Sequence, residues 1–179
     1  MSTPDRWAKV LASLLLAGSA SAEGQERYGL GKKISERDLA AWDIDVRPDG
    51  AGLPHGRGRA KEGREIYLAK CSACHGEKGE GSPMDRLVGG QGTLASEKPV
   101  KTVGSYWPYA TTLFDYVRRT MPFAGPQSLR DDEVYALTAY LLSENGIVPP
   151  DAVLDEQSLP AVKMPNRDRF VDDPRPDVP

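Results

Sequence analysis

Cysteine and histidine are scarce in this 179-residue chain, with two of each. That scarcity leaves no room for a disulfide framework of the kind that holds small exported domains together. It also argues against a structural zinc site, which closes its tetrahedral shell with several thiolate and imidazole donors. Basic residues do not outnumber acidic ones and the net charge is −3, so nucleic acid is not an expected partner. Aromatic residues make up only 7 % of the chain and apolar residues 39 %. A core built from side chains alone would be small, and a bound apolar group would add much to it. Long apolar runs are absent as well. The one run present, Val10 to Ala17, is well short of the ~20 residues that a membrane span needs.

That short run sits in a familiar context. Arg6 and Lys9 precede it, and Ala20-Ser21-Ala22 follows as a small-residue cleavage pattern. Residues 1–22 are therefore expected to be a signal peptide, with export to the periplasm and no membrane span after processing.

What the chain does have is Cys71-Ser72-Ala73-Cys74-His75, a C-x-x-C-H stretch. This is the attachment signature of c-type haem. Two thiols at this spacing can each add to a vinyl group, and the following histidine is placed beneath the iron as an axial ligand. The competing uses of such a pair are a redox-active disulfide and half of a zinc site. The first needs a β-α-β context that is missing here. The second needs further ligands, and the only other histidine is His55.

Around the motif the pattern is helical. Ser35 and Asp38 mark a short helix over Glu36–Trp42, and Arg47-Pro48-Asp49-Gly50 marks a turn. Ala51 to Arg59 reads as a loop. Arg57, Arg59, Lys61 and Arg64 form either a solvated face or a docking patch, the solvated face being the simpler reading. A helix is expected from Ala60 into the motif, with Gly63, Tyr67 and Cys71 along one stripe. Gly63 there costs up to about 1 kcal/mol relative to Ala, which close approach of a second helix would justify.

After His75 the glycines and prolines predict a loop. A carbonyl near Pro83 is the candidate acceptor for the second ring nitrogen of His75. Ser105 to Tyr109 is an aromatic cluster preceding a helix over Thr111–Thr120, which stops at Met121-Pro122 because proline disfavours helix in the residue before it. A last helix is expected between Ser128 as cap and Gly146 at the C′ position, with Val134, Leu137, Tyr140 and Leu141 inward. Beyond Val148 the chain is proline-rich and expected to be extended or wrapped on the domain. The expected organisation is a signal peptide at 1–22, an N-terminal extension at 23–59, a haem domain at 60–148 and a Pro-rich extension at 149–179.

An electron-transfer haem needs a second strong axial ligand, and methionine is the usual partner to histidine. Of the four methionines, Met1 leaves with the signal peptide and Met84 lies close after His75. Met121, in the loop between two helices, is the leading candidate. Met164, His55 and an open site remain as alternatives.

With these residues in view, the chain resembles the class I cytochromes c. Gly63, Tyr67 and Cys71 match the spacing of that family's N-terminal helix. Leu137 to Leu141 looks like its C-terminal helix, and Met121-Pro122 stands where the family places its distal ligand. The resemblance implies an all-α class I cytochrome c fold around one covalently bound haem c. A narrower likeness rests on Ala41 to Gly50, Val103 to Thr112 and Lys163 to Asp168. These resemble the cytochrome subunits of Sox-type sulfur (sulfane) dehydrogenases and related sulfite dehydrogenases. That family implies a molybdenum (molybdopterin) dehydrogenase partner, although its subunit typically carries two haems and this chain has one motif. The expected function is single-electron transfer by a periplasmic monohaem cytochrome, without a catalytic residue of its own. Cys71 and Cys74 would anchor the haem and His75 and Met121 would hold the iron. Tyr106, Trp107 and Tyr109 would either line the pocket or pack ordinarily. A stand-alone haem enzyme, peroxidase or thiosulfate-converting, and a haem subunit of an oxidase are the alternatives.

Overall fold

Ser35 opens the first helix by accepting the N–H of Asp38 at 3.2 Å, and α1 runs over Glu36–Ala40. It ends two residues before the expected Trp42. The computed structural model describes residues 30–175; the expected signal peptide at 1–22 lies outside them. The chain divides after Ala40 into two units, and everything below concerns the second.

There Gly50 donates to Arg47 O at 3.0 Å, closing the expected turn. The stretch after it is not all loop. Arg57–Arg59 forms strand β1. It is followed at once by α2, Ala60–Lys70, whose first turn is tied by Glu62 accepting the Arg59 N–H at 3.3 Å. The buried stripe of α2 is Ala60, Gly63 and Tyr67, the spacing of one helical face. After a break at Cys71, the single turn α3 covers Ser72–His75. No regular element follows until α4, Ala110–Thr120, which buries Leu113, Phe114 and Val117. Met121 caps α4 in an extended conformation (φ −118°, ψ 152°), as its following proline requires.

The central helix is α5, Asp131–Glu144, buried continuously from Val134 to Leu142. Its cap is Arg130, not Ser128. The Glu133 carboxylate accepts the Arg130 N–H at 2.9 Å. Leu129, buried in the core just before the cap, and Val134 occupy the two positions of a hydrophobic staple. Burial of Leu129 therefore fixes where the helix begins, and Ser128 stays exposed. The C-terminus follows a Schellman pattern: Gly146 (φ +68°) donates to Ser143 O and Ile147 to Leu142 O.

Helix α2 crosses α5 at Gly63. A Cβ there would overlap the carbonyl of Ala136, so the glycine is needed for backbone contact. The tilted rings of Tyr67 and Tyr140 meet at 5.2 Å, and Phe114 of α4 meets Tyr135 at 4.5 Å. Fully buried side chains such as Leu137 and Leu142 each contribute roughly 1.5–3 kcal/mol.

The C-terminal tail wraps this core. Strand β2, Val153–Asp155, pairs antiparallel with β1 in the register Gly58↔Leu154. A side chain at Gly58 would overlap the Ala136 backbone, so the ribbon lies directly on α5. Leu159, Met164 and Asn166 are buried further along. On the other flank, Val46 donates to Asp115 of α4 at 2.9 Å and Arg118 reaches Ile44 O at 3.1 Å. Among the described residues no helix is long and apolar enough to cross a membrane.

Candidate functional site

Cys71, Cys74 and His75 lie at i, i+3 and i+4, the spacing that puts side chains on one helical face. The turn is closed by Cys74 N and His75 N donating to Cys71 O at 3.1 and 3.0 Å. Gly76 (φ +82°) ends it, and its carbonyl accepts the Tyr67 hydroxyl at 2.8 Å. The motif is thereby fastened to the α2–α5 contact. Both thiols are free; Cys71 is half-buried at the edge of the core and Cys74 is exposed. Burial pushes the Cys71 thiol up to about 11, so it is protonated at neutral pH. Among the described residues, no group of three or more His, Cys, Asp or Glu gathers to hold a metal ion.

The His75 ring has one defined partner. Its Nδ1 lies 2.8 Å from the carbonyl oxygen of Asp85. A carbonyl can only accept, so Nδ1 carries the proton and the lone pair of neutral His75 sits on Nε2. This is the tautomer a metal-ligating histidine adopts. The acceptor is two residues beyond Pro83, because the loop folds back on the motif. Gly81 donates to His75 O at 2.8 Å and Met84 to Cys74 O at 2.9 Å. Two thiols and an imidazole with a free Nε2, on one turn beside an apolar core, fit a covalently held haem.

The candidates for the opposite ligand differ in surroundings. Met121 is half-buried and, like Cys71, packs on the edge of the core cluster. Met164 is only 4 % exposed, inside that cluster. Met84 is exposed on the loop after His75. His55 is exposed and bonded to Glu156 at 3.0 Å. That bond from His55 holds the Glu156 carboxyl down at about 2.

Tyr106, Trp107 and Tyr109 are all half-buried, and each has a protein partner. Phe170 meets Tyr106 edge-on at 5.5 Å, Trp107 meets Tyr116 at 5.6 Å, and Arg167 lies 5.2 Å from the Tyr109 ring. Asn166 also donates to Tyr106 O at 2.7 Å. The tail therefore grips the segment that leads into α4. Arg57, Arg59, Lys61 and Arg64 are all exposed, and Arg64 pairs with its neighbour Glu65 at 3.3 Å.

Sequence patterns missed three residues here. The Asp85 carbonyl had only chain proximity to signal it. Asn166 lay in an aperiodic tail. Asn145, whose amide bonds Leu87 and Gly89, carried no signal beyond its place before Gly146.

A family model described as Cytochrome c matches residues 60–145. Among solved structures, the chain is similar to one from the crystal structure of the sulfane dehydrogenase SoxCD from Paracoccus pantotrophus. The two share 43 % identity and superpose with a TM-score of 0.79, over 83 % of this chain and 74 % of that one.

Proposed function

This chain belongs to the cytochrome c family, class I, whose members carry electrons on covalently bound haem, and from that premise we propose that it is a periplasmic monohaem electron-transfer subunit. It would accept electrons from a molybdopterin sulfane or sulfite dehydrogenase and pass them to a respiratory acceptor. One observation carries the ligand assignment: His75 is held by Asp85 in the tautomer that leaves Nε2 free, on the same turn as two unpaired thiols.

In this reading Cys71 and Cys74 would hold the haem through their sulfurs, and His75 Nε2 and Met121 would bind its iron. Haem c would supply a one-electron Fe(III)/Fe(II) couple, its potential raised by methionine ligation. The residues do the rest. The Asp85 carbonyl fixes the His75 ring, and Tyr67 braces the motif through Gly76. Phe114 and Leu137 belong to the buried core on which Cys71 and Met121 pack at the edge. Met121 leaves α4 in an extended conformation, at the edge of the core. Tyr106 and Tyr109 would stiffen the pocket wall through their tail contacts, and Trp107 through Tyr116 of α4. The likeness to a chain of SoxCD supports a sulfur-compound dehydrogenase as electron donor.

The holoprotein tests both parts. Its reduced spectrum should be low-spin and unaffected by CO, and CO binding by the native protein would indicate an open-site haem enzyme instead. Reduction by sulfite or thiosulfate should require the molybdenum protein. Reduction by either compound alone would remove the need for that partner.

A further inference from the structure

Asn145, the residue capping α5, does more than end the helix. Gly146 and Ile147 already satisfy the terminal carbonyls of Ser143 and Leu142. The Asn145 side chain is 8 % exposed by residue and is bonded at both of its polar atoms. Its Oδ1 accepts the Gly89 N–H at 3.0 Å, and its Nδ2 donates to Leu87 O at 3.1 Å and to Leu141 O at 2.8 Å. Gln91 adds a bond to the Asn145 carbonyl at 3.0 Å. All but the Leu141 bond reach residues 54 to 58 positions away.

The loop so held is the one that serves His75. Leu87 and Val88 donate to Gly79 O at 2.9 and 3.1 Å, and Thr102 donates to Gly89 O at 2.5 Å. Two positions before Leu87 stands Asp85, whose carbonyl accepts the His75 Nδ1 proton. Gly104 lies so close that any Cβ there would overlap the Asn145 amide. The amide thus fills its niche, and the loop's bonds converge on it.

We propose that Asn145 is a positioning residue for His75. It fixes Leu87 and Gly89, hence the aim of the Asp85 carbonyl, hence the tautomer and basicity of the imidazole. The proposal rests on His75 ligating iron through Nε2. A carbonyl that accepts the Nδ1 proton strengthens Nε2 as a donor and favours the oxidised state. Releasing the loop therefore raises the reduction potential.

The test uses the holoprotein with Asn145→Ser and Asn145→Ala. Serine can still return a hydrogen bond to Leu141 O within the helix, but it is too short to hold the loop. Two readouts matter: exchange of the His75 Nδ1 proton by NMR, and the midpoint potential. Exchange should quicken on the order of tenfold in both variants, with the potential raised in both. If the alanine protein does not fold, the serine protein decides alone. Serine restoring wild-type exchange and potential would show that Asn145 serves only the helix end and would overturn the proposal. His75 ring protons without hyperfine shifts in the unsubstituted holoprotein would remove the ligation itself, a failure distinguishable from the first because it precedes any substitution.

Discussion

On the His75 side, the backbone from Gly76 to Tyr109 has no helix or strand, and it is held by a lattice of hydrogen bonds centred on Gly79, Asn145 and Thr102. On the Met121 side, helix α4 is held by apolar burial of Leu113, Phe114 and Val117 and by chain wrapped around it. Val46 and Ile44 bind one flank, and Asn166 fastens the segment that leads in. The contrast is physical. A glycine-rich loop has few apolar side chains to bury, so directional bonds must define it, and losing one changes orientation more than bulk stability. A helix with an apolar face is defined by packing, so weakening it costs stability before geometry. Both sides rest on one wall, the contact of α2 with α5.

The largest expected effect removes the basis of the contrast. Cys71→Ser with Cys74→Ser should abolish covalent haem retention, read as loss of haem stain on a denaturing gel. Retained stain would place the attachment elsewhere. Next is the shared wall. Gly63→Val puts a branched side chain against the Ala136 carbonyl and should cost about 3 kcal/mol, measured by denaturant unfolding. A loss confined to one side's spectroscopic signature would mean that the wall is not shared.

Asn166→Ala sharpens the contrast from the distal side. It deletes a buried bond to Tyr106 O and should cost about 1–2 kcal/mol. On mild urea titration the sulfur-to-iron charge-transfer band should fade before global unfolding, while His75 Nδ1 exchange in native buffer stays unchanged. Equal disturbance of both sides would erase the distinction between them.

The smallest effect serves as a control. Glu133 accepts the Arg130 N–H, and that bond, with Lys70 nearby, holds its carboxyl below the ordinary range. A depressed carboxyl stabilises the fold above its ordinary range, and that contribution is lost as pH falls through the depressed value. Glu133→Ala should therefore cost about 0.5–1 kcal/mol at neutral pH. The difference from the unsubstituted protein should shrink below about pH 4.5, the ordinary value for the group. Neither haem-side signature should move.

The parts that were legible in the sequence are those with local causes. The motif, the three main helices, the Gly63 approach and the stop at Met121-Pro122 each follow from spacing or from a residue's own backbone limits. The ribbon of β1 and β2 was hidden because Arg-Gly-Arg shows no alternation and its partner strand begins at Val153. The helix cap was read at Ser128 from residue type, whereas burial of Leu129 set it at Arg130. On the His75 side the loop and a carbonyl acceptor near Pro83 could be read, but not which carbonyl it is or what holds it in place. Asn145 finds its partners across more than fifty positions, and the Asp85 carbonyl is a backbone atom, which no residue type announces.

The proposal that His75 and Met121 hold the iron between them is tested most directly by NMR of holoprotein with labelled methionine methyls. One methyl should be shifted strongly upfield in the reduced state. It should vanish in Met121→Ala and persist in Met164→Leu. A shifted methyl that survives Met121→Ala, or no shifted methyl at all, would contradict the assignment.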